Sequence, residues 1–500
     1  MRRSIKFLHP FLLAGVIACL VFNSSCTKEE FITDNSAGLE FSTDTLTFDT
    51  VFTARGSATR YFKIYNRHSK FIRIGRIWLE EEAQSFFRMN VDGIAGNEAM
   101  DVEIPPEDSI YIFFEVTVDP DDPVSMSPFV INDMVNFETN GNKQSVLLEA
   151  WGQNANYLPN RFSAGRQNLY TCNFNEWIWD DPKPYVLYGV LVIDSCTLVM
   201  PAGTQVYVHG GYGRTQEGDP YNDGVLYIFR NGKLKIEGTK ESPVVIQGDR
   251  LEEQYQEISG QWGRIQLGPL SQGHVINYAE IKNGIIGLLV DSLAEATIKN
   301  TKIYNTSSSA LAAYSSRIVA ENCLFHSSGA NNVTFVLGGN YSFSYCTLAN
   351  YGTSTESLSA SNFTCLDGNI PCNQPVAAPL NMTFRNSIIY GSSRDVIALA
   401  DGVGEQDPSF FRYRFLNCIV RVDELLDEGG HPDFFENCDP CLNGDNDTRV
   451  FINPDSNDYH LDSLSIAIEM GKPIININQD LDGNDRDPDR PDAGCYERIN

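Results

Sequence analysis

The sequence predicts an all-β chain in two parts, a β-sandwich over residues 39–153 and a coil of parallel strands over 191–450, closed by a C-terminal segment over 451–500. Three observations predict it. Short runs of alternating apolar and polar residues, separated by turn residues, fill the first part. A five-residue pattern recurs in the second at spacings of one coil or more. The composition, 42% hydrophobic and 20% charged, is that of a folded chain and excludes disorder or collagen-like structure.

Residues 1–25 stand apart from both. Arg2, Arg3 and Lys6 precede the apolar run 11–22, which is too short for an ordinary membrane-spanning helix, and Ser24 and Ser25 lead into Cys26. Small residues and a cysteine directly behind an apolar run resemble a bacterial lipoprotein cleavage box. The resemblance implies a signal peptide over 1–25, lipid on Cys26 and attachment to a membrane through that lipid. Residues 26–38 then read as a polar tether. Within it Lys28, Glu29 and Glu30 resemble the surface-export signal of Bacteroidota lipoproteins, which implies an outer-membrane protein facing the cell exterior. Triplets beginning at Asp44, Asp49, Asp108, Asp291 and Asp462 resemble the O-glycosylation acceptor of the same phylum.

Between 39 and 153 the alternating runs, among them 61–65, 71–74, 110–118 and 145–150, fit an antiparallel sandwich. Their details are similar to the ASH/MSP type of immunoglobulin-like domain. Residues 41–48 match its opening strand, Asn66 its strand-end Asn, and Pro105-Pro106-Glu107-Asp108-Ser109 its Pro-Gly-x-Ser turn, with Glu107 near the usual Gly. The resemblance implies a spacer or adhesion module. Residues 154–190 read as an aromatic-rich join. Aromatic faces stack on sugar rings as well as on each other, so Trp177, Trp179, Tyr185 and Tyr188 are candidate glycan-stacking residues, or else the seam between the two parts.

The repeat defines the coil. Its second position falls at Tyr278, Asn300, Asn322, Tyr345, Asn386 and Asn417, with steps of 22, 22, 23, 41 and 31 residues. Near-equal steps followed by lengthened ones are what a solenoid with loop insertions gives. Asn300, Asn322, Asn386 and Asn417 suit a sharp corner, because Asn tolerates the left-handed backbone and its amide hydrogen-bonds between coils. The third position is small throughout (Ala279, Thr301, Cys323, Cys346, Ser387, Cys418), so its cysteines read as small buried hydrophobes. Strands one coil apart lie about 4.8 Å apart, which would set Glu280 beside Lys302 and Lys299 beside Glu321. The coil resembles right-handed parallel β-helix repeat proteins of the pectate-lyase-like fold. Residues 458–461 and 480–497 are similar to that family's closing segment, with Cys495 in place of its usual Ala.

Chemistry is harder to find. Asp plus Glu is 65 against 37 for Lys plus Arg, a net charge of -28, which repels phosphate backbones and excludes nucleic acid as a partner. Glycosidases need two carboxylates about 5–9.5 Å apart facing one cleft, and the repeats place Ser, Thr, Asn and aliphatic residues at matching positions instead. Asp249, Arg250, Glu252 and Glu253, the nearest set for a lyase, read as a solvated loop. The His residues make no zinc or triad spacing. Asn478, Asp480, Asp482, Asn484 and Asp489, with Gly483 between them, partly match a Ca²⁺ loop; a metal-free turn is the other reading, and no other cofactor is implied. Two local cysteine pairs, Cys365 with Cys372 and Cys438 with Cys441, are candidate disulfides in an exported protein. The insertion 352–379 is a candidate recognition loop. The expectation is a non-catalytic surface lipoprotein presenting its β-helix to a glycan or protein ligand. The alternative is an exported polysaccharide lyase or glycoside hydrolase on the same scaffold.

Overall fold

The computed structural model describes residues 30–499 apart from Ser36, 53–58, 83–84, 118–128, Asn154, 160–165, 215–219, 252–254, 366–373, 404–406, Pro408 and Gly429. The chain is all-β and divides into two compact units, Met1–Gln153 and Asn154–Asn500.

Two five-stranded sheets make the first unit a sandwich. One runs Glu40–Phe41, Arg60–Tyr65, Ser109–Val116, Phe87–Val91, Ile94–Gly96, each antiparallel to the next. The other runs Thr45–Phe52, Asn142–Gln153, Phe129–Thr139, Ile72–Leu79, Glu98–Ile104, with only its first pair parallel. Alternation sends Phe62 and Ile64, and Ile110, Ile112, Phe114 and Val116, into the core and their neighbours outward. Asn66 closes a strand end: its buried amide donates to the carbonyls of Lys70 (2.9 Å), Ile104 (3.0 Å) and Pro105 (2.9 Å). Glu107 adopts φ +55°, the left-handed conformation that suits Gly. The expected tether is not free over its last residues. Phe31 pairs with Phe71, Ile32 packs against the core and Ala37 is buried, because these side chains extend the sandwich's apolar interior.

In the second unit each coil adds one strand to an 11-stranded sheet that starts at Asn156–Leu158, Tyr185–Leu187 and Gln205–Val208 and ends at Cys441–Asn443. The other two sides belong to a 16-stranded sheet, whose two rows merge in the long strands Leu311–Glu321 and Val333–Ser344. This is a parallel β-helix, and it begins earlier than the repeat suggests. Gln167 pairs with Val190, Glu176 with Thr197 and Tyr185 with Val206, so residues 154–190 are the start of the coil and not a join. Inside, aliphatic and aromatic side chains stack coil on coil, as Phe343, Phe384 and Phe415 do at 4.9 and 5.4 Å.

The corner residues Tyr278, Asn300, Asn322, Tyr345, Asn386 and Asn417 all have φ between +47° and +56°. Asn322 Nδ2 donates to Asn300 Oδ1 at 3.1 Å, and Asn300 Nδ2 to Asn277 Oδ1 at 2.9 Å. The third-position cysteines Cys323, Cys346 and Cys418 are buried free thiols of the core, as the sequence suggests, and the position also carries a donor. Thr301, Cys323, Cys346, Ser387 and Cys418 each donate through oxygen or sulfur to the carbonyl two residues back, at 2.7, 3.2, 3.5, 2.8 and 3.4 Å. Each of these carbonyls also accepts the N–H of the preceding coil's corner residue, so the small Thr, Ser or Cys adds a second donor and satisfies its own polar group inside the coil.

Residues 451–500 close the molecule along its flank. The outward side chains Leu324, Ala349, Ile388 and Ile419 of the 11-stranded sheet form a second core with Phe451, Tyr459, Leu461, Leu481 and Tyr496. The strap is pinned to the corners. Asn322 Nδ2 donates to Gln479 O (2.8 Å), Asn386 Nδ2 to Lys472 O (2.7 Å) and Tyr345 OH to the same carbonyl (2.9 Å).

Candidate functional site

Where the strap passes the corner it leaves a cleft of about 470 Å³. Tyr278, Lys299, Asn300, Glu321 and Asn322 line it from three successive coils, and residues 476–479 with Asp485 line it from the strap. The coil repeat builds one wall. Lys299 pairs with Glu321 in parallel register, and its Nζ lies 2.7 Å from the carboxylate. On the other wall Gln479 Nε2 donates to Asp485 Oδ1 at 3.1 Å. Asn476 has φ +71°, a sharp bend in the strap. All lining side chains but Ile477 are polar, and amides and carboxylates present donors and acceptors side by side. Glu321 and Asp485 bring two carboxylates to one cleft.

One coil face away, polar groups are satisfied among themselves. Glu280 pairs in register with Lys302, but its carboxylate instead accepts a hydrogen bond from Tyr304 and lies 3.9 Å from Lys282. Burial and the Glu280 charge push the Tyr304 phenol up, so it stays protonated. His326 stacks on Tyr304 at 4.5 Å, and burial pushes it down to about 3, which makes it a neutral ring under Tyr459. His460 is held between two acids, Nδ1 2.6 Å from Asp458 and Nε2 2.9 Å from Asp482, with its ring stacked on Tyr496 at 4.0 Å. These hydrogen bonds raise its pKa above the ordinary 6.5.

The other candidates fare differently. Trp179, Tyr185 and Tyr188 are buried, with Trp179 stacked on Tyr185 at 4.6 Å, and Trp177 is half-buried against Tyr170 at 3.8 Å. Their faces are spent on packing the first coil, so the structure does not offer them to a sugar. The Ca²⁺ set is not brought together either. Asp480 accepts from the backbone of Asn484 (2.7 Å) and Glu497 (2.9 Å), while Asp482 turns to His460. Among the described residues no group of three or more His, Cys, Asp or Glu is placed to hold a metal. Asp249 is nearly buried and bonded to His209 Nδ1 at 3.0 Å, and Arg250 lies over the Tyr255 ring at 3.8 Å, so these two do not belong to a solvated loop; Glu252 and Glu253 lie outside the described residues.

Among cysteines, Cys438 and Cys441 are brought together as expected but as free thiols, hydrogen-bonded to each other and not joined in a disulfide. The disulfide that sequence reasoning missed joins Cys172 to Cys196. The signal for it is the separation of 24 residues, close to the 23-residue coil step from Gln167 to Val190. Cys365 is disulfide-bonded, and Cys372 lies outside the described residues, as do Cys26, Lys28 and Glu29. Glu30 is ion-paired with Lys70 at 2.8 Å.

No protein-family model matches this chain. No curated protein matches it either. Among solved structures it is similar to the Agl-KA catalytic domain, at 10% identity over 72% of this chain and 76% of the other with a TM-score of 0.26. It is also similar to the catalytic unit of a GH87 α-1,3-glucanase from Streptomyces thermodiastaticus, at 8% identity over 72% and 74% with a TM-score of 0.21. Likenesses at these scores say nothing of what this chain does.

Proposed function

We propose that the chain is an exported glycan-binding protein, anchored to the outer membrane through lipid on Cys26 and carried to the cell exterior by Lys28, Glu29 and Glu30, whose β-helix takes an oligosaccharide in the corner cleft. The observation that carries this reading is the lining of that cleft, where amide, carboxylate, ammonium and phenol groups are fixed by coil register and can donate to and accept from hydroxyls. The test is a binding screen of the mature chain against neutral and acidic oligosaccharides. Glu321→Gln and Gln479→Ala are expected to lower affinity about tenfold, the weight of one or two lost hydrogen bonds. Unchanged binding in both variants would sink the cleft as the site. Membrane anchoring is read separately: Cys26→Ala should move the protein from the membrane to the soluble fraction.

A second reading rests on Glu321 and Asp485. Two carboxylates facing one cleft are the minimal equipment for glycoside hydrolysis, one as acid and one as nucleophile or base. Reducing ends released by the wild-type chain and lost in both Glu321→Gln and Asp485→Asn would make the protein a hydrolase. Binding without product would keep it a capture module.

A further inference from the structure

The sandwich carries an outward sheet face that its own fold does not explain. Strands Arg60–Tyr65 and Ser109–Val116 pair so that Tyr61 stands opposite Phe113 and Lys63 opposite Tyr111. Side chains at these positions face away from the core, where polar residues are the rule. Here Tyr61 is 54% exposed, Tyr111 39% and Phe113 37%. The three rings form one cluster, with Tyr111 and Phe113 near parallel at 15° and 5.9 Å and Tyr61 steeply inclined to both, at 68° and 5.1 Å from Tyr111 and 58° and 5.7 Å from Phe113. Lys63 lies beside Tyr111, Nζ 4.6 Å from that ring's centroid and hydrogen-bonded to the Tyr111 side chain.

Charge selects the occupant. The acids on this face are already engaged: Glu40 by Arg67 at 3.0 Å, and Glu115 by the Thr59 hydroxyl at 2.8 Å with Arg88 opposite it in the sheet. Among the described residues Lys63 has no carboxylate within 4.0 Å, and its charge is met by the Tyr111 side chain, which hydrogen-bonds it, and by the neighbouring rings. A cationic centre is out of place on a chain of net charge -28, whose field repels anions elsewhere. Exposed ring faces suit the apolar face of a pyranose ring, and an ammonium beside them suits a carboxylate carried on that ring. A neutral glycan would use the rings and waste the cation.

We propose that this sheet face is a binding platform for an acidic polysaccharide, a uronate chain that stacks on Tyr61, Tyr111 and Phe113 and sets a carboxylate against Lys63. It is a second site, on the other unit from the corner cleft, and stands or falls independently of it.

The test uses the mature chain and an oligogalacturonate hexamer, with maltohexaose as the neutral control. The wild type should bind the uronate with an affinity that falls as salt is raised, and bind the neutral sugar at least tenfold more weakly. Lys63→Gln, which leaves the sheet's packing intact, should cost about tenfold for the uronate and nothing for the neutral sugar. Tyr111→Ala should cost at least as much, and Tyr111→Phe should keep the ring's share and lose only what the hydroxyl contributes by holding Lys63. Glu428→Gln, an exposed acid outside both sites, should leave uronate binding unchanged. The proposal is overturned if Lys63→Gln binds the uronate like the wild type, or if the loss follows Glu321→Gln instead, which would place the acidic sugar in the cleft. It is equally overturned if the mature chain dimerises and Tyr111→Ala makes it monomeric, for then a second copy covers the face.

Discussion

Asn386 shows how much one corner residue does. Its φ of +48° suits Asn and Gly and is strained for other side chains. Its amide also grips the strap from both sides, donating to Lys472 O at 2.7 Å and accepting from Lys472 N at 3.1 Å. Asn386→Ala is therefore expected to destabilise the second unit by about 2–3 kcal/mol, the sum of left-handed strain and two hydrogen bonds. Asn386→Gly, free of the strain, should recover about 1 kcal/mol of that. Chemical denaturation of the pair, with exchange of the Lys472 amide as the local readout, measures both parts. The Asn corner was legible in the sequence because conformation and spacing repeat together. The donor at the next position was not, since Thr, Ser and Cys also read as merely small, and only the backbone geometry shows the carbonyl they reach. The tryptophans stayed open between stacking on sugar and packing for a related reason. Trp179 looks the same in sequence whether it faces solvent or Tyr185.

At the scale of elements, strand pairing followed from arithmetic. A 22-residue step set Lys299 beside Glu321 and Glu280 beside Lys302, and both registers are present. What arithmetic could not decide is which neighbour a side chain chooses, so Glu280 turns to Tyr304 instead. The strap was legible as a closing segment, but its contacts were not, because it has no period and its partners are far away in the chain. Its Asp458–His460–Asp482 clamp, which joins the strand Asp458–Leu461 to the loop that follows, gives a pH dependence whose sign is fixed. The His460 pKa is raised above 6.5, so its contribution is fully present below 6.5 and is lost as pH rises through the raised value. The Asp482 pKa is lowered from 3.8 by His460 first and by the nearby Lys302 and Lys240, so its share is present above 3.8 and is lost on acidification through the lowered value. The strap should thus hold best between these limits. Limited proteolysis of residues 451–500 is expected to quicken as pH is raised from about 6 to about 9, and His460→Gln should abolish that dependence. The effect will be modest, since the imidazole is 43% exposed and solvent screens it.

Across the whole molecule, the strap changes what kind of solenoid this is. Coils of a bare parallel β-helix touch only their neighbours, so such a helix behaves as a one-dimensional stack. Here a single segment bonds to Asn386, Tyr345 and Asn322 and reaches Lys240 at Gly483, tying coils far apart in that stack into one cooperative body. Arg486 is the pin. It is buried, lies 3.9 Å over the Tyr345 ring, and its guanidinium bonds Asn322 Oδ1 at 3.0 Å, Gly494 O at 3.0 Å and Glu497 at 3.2 Å. Arg486→Ala strips the partner from a Glu497 carboxylate only 9% exposed, a change that costs about 3–5 kcal/mol. Because the interior core of the coil does not include Arg486, that cost should fall on the docking of the strap. Proteolysis is then expected to remove residues 451–500 from the variant while the β-sheet circular dichroism of the remainder persists. The corner cleft has one wall from each partner, so its glycan affinity should vanish in the same variant, whereas uronate binding on the sandwich face should survive. If the sheet signal collapses together with the strap, the coil depends on its flank for folding as well as for function, and the strap is as much a part of the core as Phe384.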